Sequence, residues 1–147
     1  MAELGQDADR DGGSRAIGSP PSGVLTALTQ APIGIAIFDR GMRYLAASRK
    51  YLTDQGLAAD TPLVGRLHYD VFPEIPPRWR DLHAQVLADG RPLSHEADPF
   101  IDRSGRVEWI RWSLAPWRDE AGAIGGLVLY TEIVTPSVEA RLNLEAA

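Results

Sequence analysis

The chain has 147 residues, of which 44% are hydrophobic and 24% are charged, as expected for one globular domain with tails. Its net charge of -5, without a cluster of Lys and Arg, argues against a nucleic-acid partner, because neutralising phosphates takes a basic patch. The absence of cysteine excludes disulfides, thiolate catalysis, Cys-ligated zinc and cysteinyl-flavin photochemistry. Neither a membrane-spanning run nor a signal-peptide pattern is present, so we expect a cytoplasmic protein without membrane contact.

The N-terminal part of the chain contains Gly, Asp, Ser and Pro and almost no large apolar residue. Such a composition cannot bury enough surface to offset the entropy of ordering, so residues 1–22 are predicted to be a disordered tail. The apolar residues Val24, Leu25 and Leu28 then predict a short helix that stops before Ala31-Pro32. This helix either covers its own sheet or packs on a second subunit.

Two strands are predicted next, at 33–38 and 42–46, joined by the turn 39–41 into an antiparallel hairpin. A short helix follows at 48–57, and further helical turns are expected at 63–72 before a group of prolines ends them. In the second segment His68 and Asp70 are expected to hydrogen-bond locally.

Residues 77–88 form the strongest predicted helix, with proline at its start and Gly90 after its end. Its apolar stripe comprises Trp79, Leu82, His83, Val86 and Leu87. A histidine is therefore expected on the buried side of this helix.

The remaining strands are predicted at 91–101, 106–117 and 124–134, the last two forming one long hairpin. In the middle strand Ile110, Trp112 and Leu114 share one face, while Trp109, Arg111, Ser113 and Trp117 occupy the other.

In the first of these strands, strict alternation sends His95 to one face and both Glu96 and Asp98 to the other. These three residues are therefore not expected to form a metal site, and we expect a solvated edge strand.

A final helix is predicted from 136 to 147, with Thr135 as a possible N-cap and Pro136 at its first position. Val138 and Leu142 give it a narrow apolar stripe. Two strands, several short helices and then three strands predict an α+β domain, with helices on one face of an antiparallel sheet.

The chain resembles the PAS family, the sensory modules of histidine kinases and diguanylate cyclases, over 23–135. The resemblance rests on Ala31-Pro-Ile-Gly-Ile-Ala-Ile-Phe-Asp39, on Val64-Gly-Arg-Leu-His-Tyr-Asp-Val-Phe-Pro73, and on Gly105-Arg-Val-Glu-Trp-Ile-Arg-Trp112 with Gly125-Gly-Leu-Val-Leu-Tyr-Thr-Glu132. It implies a PAS-like five-stranded antiparallel sheet, a ligand cavity under the long helix, dimerising flanking helices and output through the C-terminal helix.

The chain departs from the family pattern where Ile133-Val-Thr135 replaces the usual Asp-Ile-Thr run, which puts the usual coupling contact in doubt. A smaller departure is Ser48, where many family members carry Asn.

Two sets of residues are predicted from this resemblance and from the strand and helix faces. The ligand-cavity set is Trp79, Leu82, His83, Val86, Ile110, Trp112 and Tyr130. The dimer and output set is Val24, Leu25, Leu28, Trp109, Trp117, Val138 and Leu142. For the tryptophans, ordinary core and interface packing is the competing interpretation.

His83 occupies the side of the long helix where haem-binding PAS domains place their proximal ligand, and a histidine bonded within the core is the alternative. The sequence requires no cofactor and contains no nucleophile and base for an enzyme. We therefore expect a homodimeric sensory domain that binds an unidentified small molecule or a partner, transmits the change through its flanking helices, and serves an output domain such as a histidine kinase or cyclase. A module without ligand, used for dimerisation or docking, is the alternative, and a haem sensor is the third.

Overall fold

The computed structural model describes residues 22–102 and 104–146, apart from the side chains of Ser22 and Leu25. The tail predicted at the N-terminus lies outside these residues except for Ser22. The elements in chain order are α1 (Ser22–Thr29), β1 (Gly34–Asp39), β2 (Tyr44–Ala47), α2 (Arg49–Asp54), α3 (His68–Val71), α4 (Pro77–Asp89), β3 (Leu93–Ile101), β4 (Val107–Arg118), β5 (Ile124–Ile133) and α5 (Thr135–Glu145).

The five strands form one antiparallel sheet in the order β2-β1-β5-β4-β3. Helices α2, α3 and α4 contribute to the same apolar core as the inward residues of the sheet, such as Phe38, Ile110 and Leu127. The predicted α+β class with a five-stranded sheet is confirmed. The chain-terminal helices lie apart from this layer, α1 beside β2 and α5 beside β4.

Helix α4 matches its prediction almost residue for residue. Proline stands at its first turn, and Gly90 ends it in the left-handed conformation with φ of 72°. Gly90 N–H bonds back to the Val86 carbonyl at 2.9 Å, which closes the last turn. The helix therefore has fixed ends, so the side chains of its stripe reach defined positions over β4 and β5.

Ser48 ties the start of α2 to the first strand and is fully buried. Its hydroxyl accepts the N–H groups of Ile35 at 3.0 Å and Tyr51 at 3.1 Å and donates to the Ile33 carbonyl at 2.7 Å. The first of these contacts joins the helix to the sheet, and the second caps the helix. Serine thus performs both tasks at this position.

Trp117 lies over the paired strands of its own sheet. Its indole N–H donates to the Phe38 carbonyl at 2.8 Å, and its ring covers Gly125 so closely that a Cβ there would overlap it. The glycines of β5 are therefore needed for this close approach. The structure therefore gives Trp117 an intramolecular role on the outer face of the sheet. The dimer contact predicted for this residue stays a prediction.

Candidate functional site

A cavity lies between α4 and the inward face of β4 and β5. The space that the centre of a water molecule can reach inside it is about 70 Å³. Its lining residues are Tyr51, Gln55, His68, Ile75, Trp79, Leu82, His83, Ile110, Trp112, Leu114, Leu129 and Thr131. The walls are thus mostly apolar and aromatic, with a few polar groups, which is the usual composition of a small-molecule site.

Five of the seven predicted cavity residues line this space: Trp79, Leu82, His83, Ile110 and Trp112. Val86 is fully buried in the core and does not line it. The prediction for Tyr130 is wrong, because its side chain is 41% exposed on the opposite face of β5. The alternation of the strand turns its neighbours Leu129 and Thr131 inward instead.

Asp98 holds two walls of the cavity together. Its carboxylate oxygen Oδ2 accepts the indole N–H of Trp79, from α4, and of Trp112, from β4, each at 2.9 Å. Arg78 adds a two-pronged pair, with Nη1 to Oδ2 at 3.0 Å and Nη2 to Oδ1 at 2.8 Å. This single carboxylate, 2% exposed, therefore fixes the long helix against the sheet.

The expectation that Asp98 lies on a solvated face with Glu96 is wrong. The pairing of β3 with β4 shifts by one residue between His95, opposite Trp112, and Asp98, opposite Ile110. This bulge reverses the alternation, so Asp98 points inward while Glu96 remains outside. Burial alone would raise the pKa of Asp98, but hydrogen bonds from Arg78, Trp112 and Trp79 outweigh it, and the pKa is lowered.

His68 is a cavity residue, and the expectation that it only bonds locally is wrong. Its Nδ1 lies 2.6 Å from the Tyr44 hydroxyl, which lies 2.7 Å from the Tyr51 hydroxyl. All three side chains are buried, and His68 and Tyr51 border the cavity. Tyr44 of β2 therefore links two residues of the cavity wall, His68 and Tyr51, through hydrogen bonds in the core.

His83 is held in a similar way on α4. Its Nδ1 lies 2.7 Å from the Tyr69 hydroxyl, and the two rings stack at 5.8 Å. The His83 and His68 rings lie 5.7 Å apart. Desolvation lowers the pKa of His83 to about 4 and that of His68 to about 3, and the nearby Arg80 adds to both shifts. Both imidazoles are therefore neutral at physiological pH.

The haem interpretation of His83 does not fit this site. The ring borders a cavity of about 70 Å³, far too small for a porphyrin. The alternative is a core or boundary histidine bonded to a backbone carbonyl. His83 is indeed buried and hydrogen-bonded, but its partner is the Tyr69 hydroxyl. Among the residues that the structure describes, no group of three or more metal-ligating side chains is found.

The cavity is adjoined by a larger open cleft of about 810 Å³ by the same measure. Three residues border both spaces: Gln55, Ile75 and Trp79. Since Asp98 holds Trp79, it also fixes the partition between the inner cavity and solvent.

The residues predicted for dimerisation and output are scattered. Val24 is 56% exposed and Leu142 is 48% exposed, whereas Val138 is buried within its own domain. Leu28, Trp109 and Trp117 are half-buried, and the side chain of Leu25 lies outside the described part of the chain. The structure therefore leaves only Val24 and Leu142 of this set widely accessible.

Helix α5 is joined to β4 through Thr135. The Thr135 hydroxyl donates to the Glu108 carboxylate and accepts the Trp109 N–H at 2.9 Å, and Val134 N–H donates to the Trp109 carbonyl at 2.8 Å. The prediction that Thr135 is the N-cap of α5 is wrong, because Val134 occupies that position and makes no side-chain cap bond. The Thr135 hydroxyl bonds to Glu108 and Trp109 of β4 instead. The family pattern has an acid two residues before the threonine, where this chain has Ile133. The carboxylate that binds Thr135 here is that of Glu108, on the neighbouring strand β4.

The arrangement matches a known family. A family model described as the PAS fold matches residues 28–139. The chain belongs to the PAS family. A search of curated proteins finds no match. No helix in the described part of this PAS domain has the length and hydropathy that a membrane span requires.

Solved structures with this fold include three of differing length. The PAS domain from Bordetella pertussis BvgS is 20% identical with a TM-score of 0.64, and the match covers 85% of this chain and 93% of that one. VqmA bound to DPO is 19% identical with a TM-score of 0.61, covering 77% and 57%. An RNA-binding Light-Oxygen-Voltage receptor is 21% identical with a TM-score of 0.65, covering 99% and 40%. At these identities the likeness concerns the fold, and this chain spans about half the length of the last two.

Several site residues escaped prediction from the sequence: Tyr44, Tyr51, His68, Tyr69 and Asp98. Tyr44 is 24 residues from His68, and Tyr69 is 14 residues from His83, so each tyrosine meets its histidine only in the folded core. For Asp98, one signal was available, since proline at position 99 is typical of a bulge or edge position.

We predict that Asp98→Asn lowers the free energy of unfolding by about 2–3 kcal/mol, because two indole N–H groups and Arg78 lose a charged acceptor. Urea unfolding followed by tryptophan fluorescence measures it. Glu96→Gln is the control, since the Glu96 side chain is 86% exposed, and should change stability by less than about 0.5 kcal/mol. Equal effects of the two substitutions would contradict the role assigned to Asp98.

The two histidines predict a dependence of stability on pH. The unfolded chain protonates each near pH 6.5, whereas the folded protein does so only near pH 4 and 3, so stability is full above 6.5 and declines as the pH falls. Between pH 6.5 and 5 the free energy of unfolding should fall by up to about 1.4 kcal/mol per pH unit for each histidine.

Chemical denaturation at several pH values measures this slope. His83→Asn should reduce it, because the substitution removes one of the two buried imidazoles. A slope that persists unchanged in both His83→Asn and His68→Asn would show that these groups are not neutral in the folded state.

Proposed function

We propose that this PAS domain is a sensory module that binds a small molecule in the cavity and transmits binding to its flanking helices. The observation that carries the proposal is the cavity itself, whose walls on α4 and β4 are joined by one buried carboxylate. Protein interiors are normally close-packed, so a space left between the long helix and the sheet favours a bound molecule over a core filled by side chains alone. The proposal includes no catalytic step.

The output path that we propose runs along β4. Ile110, Trp112 and Leu114 of this strand line the cavity, and Glu108 and Trp109 at its start bind the first residues of α5. A ligand that shifts β4 thereby changes the contacts of Thr135. It biases the helix only to the extent that it binds one arrangement more tightly than the other.

The wider context is also proposed. We infer a cytoplasmic homodimer whose α5 leads towards an output domain, such as a histidine kinase or cyclase of a bacterial two-component system. The domain itself is proposed to bind no nucleic acid, given its net charge of -5. The DNA complex of VqmA and the RNA-binding receptor show that some proteins with this fold act on nucleic acids, so this point stays a prediction.

The alternative is a module without ligand that serves dimerisation or docking. The observation that favours it is the exposed apolar surface of α5, where Leu142 is 48% and Leu144 is 81% exposed. Exposed leucines on a terminal helix are typical of a helix that pairs with a partner. A dimer that forms in the absence of any bound molecule is compatible with both interpretations. The two are therefore distinguished only by whether the cavity binds a small molecule.

The first experiment is denaturation of the purified protein followed by mass spectrometry of what it releases. We expect a small molecule in the parent protein and in Leu87→Phe, but at least about tenfold less in Leu82→Phe, because only Leu82 borders the cavity. Equal amounts in the two variants would place the molecule elsewhere. A Soret band in the visible spectrum would restore the haem interpretation.

The output path predicts a change in the dynamics of α5. Thr135→Val removes both hydrogen bonds of the hydroxyl, so amide exchange in α5, including Val138 N–H, should become roughly tenfold faster. Ser137→Ala, at an exposed position of the same helix, is the control. Unchanged exchange in Thr135→Val would show that Thr135 does not hold the helix, and the proposed path would fail.

A further inference from the structure

The charge of the cavity restricts what it can hold. Its twelve lining residues include no Lys, Arg, Asp or Glu. The nearest acid, Asp98, is already paired with Arg78 and with both indoles. A charged ligand would lose its hydration without gaining a counter-charge, which is strongly unfavourable. The lining therefore favours a molecule without net charge.

Two of the polar residues in the cavity wall, His68 and His83, have a ring nitrogen available to a ligand. His68 and His83 each use Nδ1 for a tyrosine hydroxyl, and neither Nε2 has a hydrogen-bond partner among the described residues. In the same part of the chain, the Thr131 hydroxyl is the only completely buried side-chain oxygen or nitrogen without a partner. The two Nε2 atoms therefore keep accessible surface, and the space that both rings border is the cavity.

The hydrogen-bonded chain decides which tautomer each histidine adopts. If Tyr51 donates to Tyr44 and Tyr44 donates to Nδ1 of His68, both hydroxyl protons are used. This direction is favoured because a phenol O–H is a stronger donor than a neutral imidazole N–H, and an imidazole nitrogen is a stronger acceptor than a phenol oxygen. The same reasoning makes Tyr69 the donor to Nδ1 of His83. Each neutral imidazole then carries its proton on Nε2 and offers one N–H to the cavity.

Arg80 is the remaining charge near these rings. Its guanidinium lies 4.4 Å from the centre of the Tyr69 ring, and it is not among the lining residues. Its positive charge, which acts on both histidines, adds to the exclusion of a cation. Because it does not line the cavity, it gives an anion inside no direct partner. The other polar residues of the wall are Tyr51, Thr131 and Gln55, which lies at the partition towards the cleft, and none of them carries a charge at neutral pH.

We infer that the cavity selects a small uncharged molecule with hydrogen-bond acceptors, such as an amide or a ketone, which is held by the Nε2–H groups of His68 and His83. This inference rests on the proposed sensory function and specifies the class of its ligand. The apolar walls, including Trp79 and Trp112, take the hydrocarbon part of the molecule. Carboxylates and amines of the same shape are excluded.

The test uses three probes of one size and different charge: isobutyramide, isobutyrate and isobutylammonium. Each is titrated at pH 7.5 into the isotopically labelled protein, and the indole N–H signals of Trp79 and Trp112 report binding, since both indoles border the cavity. We expect isobutyramide to bind at least about tenfold more tightly than either charged probe.

Two variants test the histidine donors. His83→Phe keeps a ring but removes the N–H, and should weaken isobutyramide about fivefold to tenfold. Tyr130→Phe, on the opposite face of β5, should leave the affinity unchanged. The spread of amide signals reports whether each variant is folded, and His68→Phe provides a second, independent loss of a donor. Unchanged affinity in both folded histidine variants would overturn the assignment of the donors.

The outcomes separate this inference from the proposed function. If a charged probe shifts the two indoles with equal or greater affinity, the ligand class is wrong while the sensory cavity stands. If none of the three probes shifts either indole, the cavity is not a ligand site and both proposals fail.

Discussion

The arrangement of the site depends on one buried carboxylate. Asp98 accepts two indole N–H groups and a guanidinium, and through them it joins an edge strand, the long helix and the strand β4. A buried charge is tolerated only when it is paired and hydrogen-bonded, and here every donor also has a structural task. Trp79 separates the cavity from the outer cleft, and Trp112 forms part of the cavity wall. The position of both rings therefore follows from one electrostatic interaction rather than from apolar packing alone.

The polar character of the cavity is set in the same indirect way. No lining residue carries a charge, and the two histidines are kept neutral because burial opposes their protonation. Tyrosine hydroxyls hold one nitrogen of each ring and thereby determine the orientation of the other. The tyrosines that do this belong to different elements, so the geometry of the donors depends on the packing of the whole core. A change in that packing is transmitted directly to the groups that would contact a ligand.

Strand β4 connects this site to the end of the domain. Alternate residues of the strand face the cavity, and the residues at its start bind Thr135 of α5. The family pattern normally provides an acid at the end of the last strand for such a connection, and this chain lacks it. In this chain Glu108, on the neighbouring strand, supplies the carboxylate that binds the Thr135 hydroxyl. The cavity and the terminal helix thus share one rigid element without a direct contact between them.

The sequence by itself determined the elements whose signals are local. Proline and glycine bounded α4, and alternation identified the inward face of β4, so five of the residues predicted for the ligand cavity border the cavity that the structure contains. Only the tertiary structure decided the face of Tyr130, the partners of His68 and the position of Asp98. The bulge that turns Asp98 inward depends on the pairing of β3 with β4, and the tyrosine contacts join residues up to 24 positions apart. Periodicity records how one element faces a core, whereas a strand register and a buried hydrogen bond exist only once separate elements have packed together.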